Sequence, residues 1–517
     1  MRALGGSPSV RGAVVVAFLV TVAGLAGCAD DAPGRAVAPA DVGFDPAFVR
    51  VTGVRVQEDN LTSFDGRTML AMVAHVPTTD PVVPLPTIVF LHGWGGSKAS
   101  FASRLDEAAR AGFLAVAYDA RGFGDSTGAS TVAGVAERDD LAFLLDTLQD
   151  RYDVGRIGLV GGSYGGGQAL LAWAENPDVT TAVSHYGWFD LAEGLAPGGV
   201  PKLAWGEFLY GYGRANGGTY DPIVDRWYVD AHLRTDMPTI LRQMRERSVA
   251  HLGLDATAKP LFVCQGLQET LFPQMGDAQR AAGFVRAYGY TGGHGEADAG
   301  CWERTMDWFR FFLQGLDTRV DSWPALETID ADGATVRGYT SYPEPAPTLR
   351  YLRAPDLGEG PSDATFEVRQ SFVGSPLQDP SALWDQAGQP NNAVPNQLRE
   401  DPTATAFAWR LDHAATLVGS AEVVLEVGRG PAFQVVATLD HVDAAGNARV
   451  LGHAAAADLA GNATSVTLRF PWTHAVLEPG EQLVLRVASN DLSWFLPLPA
   501  DYTVTFTGGS RLVLPLI

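Results

Sequence analysis

Three side chains in this sequence carry the types and spacing needed for nucleophilic chemistry: Ser163, Glu269 and His294. Ser163 lies in Gly161-Gly162-Ser163-Tyr164-Gly165, where an apolar run of strand length stops and a helical segment (Gln168 to Asn176) follows. A serine on so sharp a strand-to-helix turn needs neighbours without side chains two residues away on either side. Its hydroxyl becomes a useful nucleophile only when a base takes its proton and a third group orients that base. Two later strand ends supply candidates. Val263-Cys264-Gln265-Gly266 runs into a loop that contains Glu269, and the next strand ends in Gly292-Gly293-His294-Gly295. A histidine among glycines on a loop has little reason to be there for packing. Serine, acid, histidine is also the chain order that a strand-turn-helix nucleophile of this type requires.

Competing assignments are few. Asp277 or Asp298 would be the alternative acid. His92 reads as a structural histidine at a strand end, and His251 falls in an inserted segment. His413, His441, His453 and His474 are scattered and show no metal-ligand spacing, so no metal or cofactor is expected. Acyl chemistry also needs two donors aimed at the developing negative charge. The backbone N–H of Tyr164, directly after the serine, is one. The N–H of Trp94, in the loop His92-Gly93-Trp94-Gly95-Gly96, is expected to be the other.

The elements that must position these groups alternate. An antiparallel hairpin is expected around the turn at Asp65-Gly66. Apolar strands follow at Pro86 to Leu91 and Phe113 to Tyr118, with helices from Ser97 (as N-cap) to Ala111 and from Thr131 to Arg151. Further strands precede Ser163 and span Thr181 to Ser184, Pro260 to Gln265 and Phe284 to Tyr290, and a helix from Trp302 to Leu316 closes the domain. Such alternation means a mostly parallel, doubly wound sheet: fold class α/β. It breaks at about 186–259, a stretch dense in aromatics that reads as a cap over the site. Beyond Asp317 helical periodicity gives way to short alternating strands, and an all-β sandwich or jelly roll is expected over 318–517. The α/β domain with its cap is placed at 48–317.

Composition excludes some roles. The 517-residue chain is 46% hydrophobic and 19% charged, hence globular and long enough for more than one domain. A formal net charge of −22 argues against nucleic acid as a partner. Residues 1–27 read as a secretory signal with Arg2 and Arg11 ahead of a short apolar run. Leu25-Ala26-Gly27-Cys28 resembles a bacterial lipoprotein box, which makes Cys28 the expected lipidation site. Residues 28–47 would form a flexible tether, and the mature protein would be exported and held at the membrane surface by lipid. Cys264 and Cys301 either form one bridge or remain two buried thiols.

Together these residues resemble the CocE/NonD and X-prolyl dipeptidyl-peptidase family of α/β-hydrolases, from about Asp65 to the end. The shared marks are Asp65-Gly66, Arg121-Gly122-Phe123-Gly124-Asp125-Ser126, Gly161 to Gly165, Gln265 to Pro273 and Gly293-His294-Gly295. In the C-terminal part they are Leu477-Glu478-Pro479-Gly480-Glu481-Gln482-Leu483 and Leu512-Val513-Leu514-Pro515. The resemblance implies a hydrolase domain with a helical cap, a C-terminal jelly roll, Ser163 as nucleophile, His294 as base and Glu269 as orienting acid. The chain departs from the family's usual pattern in having Glu for Asp and a backbone-only oxyanion loop without a tyrosine. It also lacks the long N-terminal domain of lactic-type dipeptidyl-peptidases and shows no clear acidic pair for a substrate amino terminus. An esterase acting on esters or activated amides is therefore expected ahead of a dipeptidyl-peptidase. The rival from another class is a surface binding protein with a vestigial hydrolase domain.

Overall fold

The computed structural model describes residues 49–252, 258–272, 275–281, 283–295, 299–329, 335–370, 404–490 and 498–517. The leader, the tether, Cys28 and Asp298 lie outside the described residues. Within the described residues no helix is long and apolar enough to cross a membrane.

Strands β1 (Arg50–Thr62) and β2 (Met69–Asp80) pair antiparallel. The turn between them is set by the Asp65 carboxylate, which accepts from the N–H groups of Arg67 (2.9 Å) and Thr68 (2.8 Å). The chain then alternates: β3 (Leu85–Leu91), α1 (Ala102–Arg110), β4 (Leu114–Tyr118), α2 (Val135–Arg151), β5 (Val154–Gly162), α3 (Tyr164–Glu175) and β6 (Val179–His185). Every residue of β3 and β4 is buried, as strands covered on both faces must be. Four cap helices follow: α4 (Leu191–Leu195), α5 (Leu203–Ala215), α6 (Pro222–Leu233) and α7 (Met237–Arg245). The sheet resumes with β7 (Leu261–Gly266), β8 (Val285–Tyr290) and the helix α8 (Ala299–Phe309). Cys264 on β7 and Cys301 on α8 are joined by a disulfide, which decides between the two readings of this pair.

Strand order is β1-β2-β4-β3-β5-β6-β7-β8, followed by β9 (Leu326–Ile329) and β10 (Val336–Tyr339). The pairings from β4 to β9 are all parallel. The sheet therefore does not stop at 317. The chain returns to pair β9 with β8, because β8 would otherwise end the sheet as an apolar edge. The order reverses between β3 and β5. A crevice opens there at the strands' carboxyl ends, where open α/β sheets bind ligands.

Two helix starts differ from expectation. Residues 98–101 form a 3₁₀ turn, and Ser97 makes no capping bond. The Asp119 carboxylate takes the N–H of Lys98 (2.6 Å) instead, so α1 begins only at Ala102. Likewise α2 begins at Val135, not Thr131. The Glu137 carboxylate accepts from the Thr131 N–H (2.6 Å) and holds Val132 and Ala133 at φ of 60° and 55°, outside helical space.

The remaining strands, from Pro347 to Pro515, form an all-β domain. Its long hairpins are mostly antiparallel and enclose a separate core built on Phe366, Phe407, Phe433, Phe470 and Phe506. It packs against the cap and the Glu269 side of the sheet. Arg234 donates to Gln434 Oε1 (2.5 Å), and a Cβ on Gly276 would stand 2.7 Å from the Trp472 ring.

Candidate active site

The turn after β5 is built by main chain alone. Ser163 is held at φ 55°, ψ −118°, a conformation non-glycine residues rarely adopt. Its own N–H donates to His185 O (3.0 Å), anchoring the strained residue to β6. A Cβ on Gly161 would meet Gly165 C at 2.3 Å, and one on Gly165 would meet Leu91 O at 1.9 Å. The two glycines are therefore a packing requirement: β5, the turn and the end of β3 touch backbone to backbone.

Glu269, in the loop after β7, and His294, in the loop after β8, meet at this turn. The Ser163 hydroxyl stands 2.8 Å from His294 Nε2, and His294 Nδ1 stands 2.8 Å from Glu269 Oε2. The other carboxylate oxygen accepts from the N–H groups of Leu271 (2.6 Å) and Phe272 (3.2 Å). Burial pushes the Glu269 carboxyl up. The His294 charge, its hydrogen bond and the two N–H donors outweigh that and hold it below its ordinary value. An ionised Glu269 accepts from Nδ1–H, which leaves Nε2 free to accept from Ser163. Gln268 ties the two loops together. Its side-chain oxygen accepts from Gly292 N–H (2.5 Å), and its own N–H donates to Gly292 O (2.9 Å). The edges of the His294 ring are packed by Tyr186, Trp205 and Phe272, with centroids 5.0, 5.3 and 5.7 Å away.

The loop after β3 runs beside the serine: a Cβ on Gly93 would lie 3.9 Å from Ser163 Cβ. Buried His92 shapes this loop, its Nδ1 donating to Gly93 O (2.8 Å) and its Nε2 accepting from Ala120 N–H (3.0 Å). Burial pushes its pKa down, which suits a neutral structural ring. The indole of Trp94 donates to Leu209 O (2.8 Å) on cap helix α5 and packs edge-on against Tyr164. Among the described residues, no hydrogen bond engages the main-chain N–H of either Trp94 or Tyr164. Tyr164 opens α3, where the first N–H groups have no partner within the helix.

Residues 86–222 match the alpha/beta hydrolase fold family. Residues 318–512 match the X-Pro dipeptidyl-peptidase C-terminal non-catalytic domain. The chain thus joins an alpha/beta hydrolase fold domain to a C-terminal domain of the X-Pro dipeptidyl-peptidase type. It is a hydrolase. Solved structures similar in fold include a CocE/NonD family hydrolase from Staphylococcus aureus, with TM-score 0.66, 14% identity and coverage of 90% of this chain and 94% of that one. An alpha-amino acid ester hydrolase gives TM-score 0.71 at 14% identity, covering 90% and 97%. An aminopeptidase from a marine sediment Thaumarchaeota archaeon gives 0.68 at 14%, covering 95% and 99%. At that identity the likeness is one of fold. No curated protein is a significant match to the sequence.

The cap roofs a cavity of about 140 Å³ beside Ser163. Its lining is almost wholly apolar, with Trp188, Leu191, Leu209, Trp227, Ile240 and Met244 among the side chains. Among the described residues, the ionisable groups in the wall, tyrosines aside, are Lys202 and His232, and no carboxylate lines it. Among the described residues no cluster of His, Cys, Asp and Glu could hold a metal ion.

The structure brings Ser163, Glu269, His294, Trp94 and Tyr164 together at one point. Asp277 is set apart, on a short 3₁₀ turn that borders the β domain. Sequence reasoning missed Tyr186, Trp205, Gln268 and Lys202. Tyr186 has φ 39°, and the signal was its place directly after β6 and before Gly187. Trp205 is one of many aromatics in the 186–259 stretch, and Lys202 is a lone cation between apolar residues there, so neither stands out in the sequence.

Proposed function

We propose that this protein is a serine hydrolase acting on esters with an apolar acyl group. Ser163 Oγ attacks the ester carbonyl carbon while His294 Nε2 takes the hydroxyl proton. The N–H groups of Trp94 and Tyr164 hold the resulting oxyanion. The tetrahedral intermediate collapses, the C–O bond to the leaving group breaks, and His294 gives the alcohol its proton. Water, deprotonated by His294, then attacks the acyl-enzyme and frees Ser163 and the carboxylic acid. Glu269 keeps the imidazole in the required tautomer throughout. On this reading, the protein is exported and works at the cell surface, anchored to the membrane through lipid on Cys28.

The cavity carries the substrate assignment. Its volume of about 140 Å³ is close to the ~150 Å³ of an apolar cavity that takes up benzene. A phenyl ring or a short branched alkyl chain attached to the carbonyl would fill it. An X-prolyl dipeptide would bring a cationic amino terminus into an apolar wall that offers it, among the described residues, no carboxylate; the Lys202 ammonium faces it and His232 is already paired with Glu207 (2.6 Å). That favours the esterase over the dipeptidyl-peptidase.

The test compares nitrophenyl acetate, butyrate and benzoate with alanyl-prolyl nitroanilide, using Ser163→Ala as control. The expected result is Ser163-dependent turnover of esters, with kcat/KM rising from acetate to butyrate or benzoate. Ser163→Ala should lower kcat by about 10⁴-fold or more and leave the melting temperature nearly unchanged. Faster release from the prolyl substrate would establish the dipeptidyl-peptidase instead. Turnover that survives Ser163→Ala would end the mechanism.

A further inference from the structure

We propose that Lys202 is a positioning residue for Glu269, acting on its carboxylate through two peptide groups; this rests on the serine-hydrolase reading of the Ser163 site. Lys202 stands at the entrance of α5 and is only 8% exposed. Its Nζ donates to the main-chain oxygens of Thr270 (2.7 Å) and Leu271 (2.9 Å). Those two carbonyls belong to the peptide groups whose N–H ends, on Leu271 and Phe272, hold Glu269 Oε1. The chain of contacts is therefore ammonium, C=O, N–H, carboxylate, twice in parallel. A cation on a peptide oxygen draws electron density from the nitrogen and makes its N–H a stronger donor. Lys202 thus both fixes the loop and strengthens the two bonds that leave Glu269 Oε2 turned towards His294.

A purely structural role accounts poorly for this lysine. A methionine would fill the same space without burying a charge, and an ammonium is costly in such a place unless fully engaged. Burial pushes its pKa down to about 7, against the pull of Glu269 and of Glu193 on α4. The same turn of α5 adds a second tie: Trp205 donates to Thr270 Oγ1 (3.1 Å) and packs on the His294 ring. Lys202 also forms part of the wall of the acyl cavity, so it links the acyl pocket to the triad acid.

The test is Lys202→Met in the mature protein, compared with wild type on nitrophenyl butyrate. Rates are expressed per Ser163 site titrated to completion with a fluorophosphonate, so that only competent molecules count. The expected result is kcat lowered at least tenfold with KM within threefold. Lys202→Gln, which keeps a neutral donor on a shorter stem, should fall between Met and wild type. Lys202→Met with kcat within twofold of wild type, or a loss confined to KM, would overturn the proposal. Absence of Ser163-dependent turnover in the wild type would instead overturn the hydrolase reading, so the two failures are distinct.

Discussion

Ser163 is placed by main chain alone, whereas Glu269 and His294 stand on two separate loops that side chains tie together. The elbow needs β5, α3, an anchor on β6 and two glycines that let the turn touch the end of β3. Glu269 and His294 sit on separate loops, and side chains tie these together: Gln268 across to Gly292, Gln265 to Phe272 O (2.6 Å), and Lys202 from the cap. The comparison separates what a short motif encodes from what only the assembled fold supplies. It also says where each half is vulnerable: the elbow to a single added methyl, the relay to the loss of a distant polar contact.

After Ser163→Ala itself, the largest break should come from the relay. Glu269→Gln keeps the shape but presents a neutral amide to Nδ1. The expected loss in kcat is about 10²–10⁴-fold with little change in KM, read by steady-state kinetics at pH 8. The Glu269 carboxyl is held below its ordinary value, so it stabilises the fold above about pH 4.5 and that stability is lost as pH falls through the lowered value. Next comes the elbow. Gly165→Ala would place a methyl 1.9 Å from Leu91 O, and the expected cost is about 3 kcal/mol or more of stability, read from urea midpoints.

The cap tie is sharpened by pH. Lys202 has a folded pKa of about 7 against an ordinary value of 10.5. Between those values the unfolded chain holds the extra proton, so stability rises with pH across that window and is flat in this respect below it. The rise is worth up to about 1.4 kcal/mol per unit. Lys202→Met should abolish it, which paired urea titrations at pH 7 and pH 9 would show. The smallest effect is expected far from both halves. Arg469 pairs with Glu422 (2.7 Å) on the β domain, with its side chain 72% exposed, and Arg469→Ala should cost less than about 1 kcal/mol.

Legibility in the sequence follows the same division. The elbow was readable because its reasons are local: an apolar run, small residues at fixed offsets, a helix start. That Glu269 and His294 each follow a strand end is legible in the run of the chain. Tyr186 and Trp205 were not, because an aromatic residue carries no mark of which ring it will face. Lys202 was the least readable: a lysine is read as solvated by default, and only the fold shows its ammonium turned inward onto two carbonyls. The sheet order and the return of β9 and β10 depend on pairings across the whole domain, which no local pattern contains.

That return has a practical meaning for anyone who wants to know what the C-terminal half does. Cutting the chain after Leu316 would remove the segment that pairs with Ala287, Tyr288 and Gly289. The cut would leave a bare, mostly apolar strand rim able to recruit a second molecule. Such a fragment should precipitate or form multimers, and its inactivity would say nothing about the role of the β domain in catalysis. Point changes at the seam, such as Trp472 against Gly276, ask that question without unravelling the sheet.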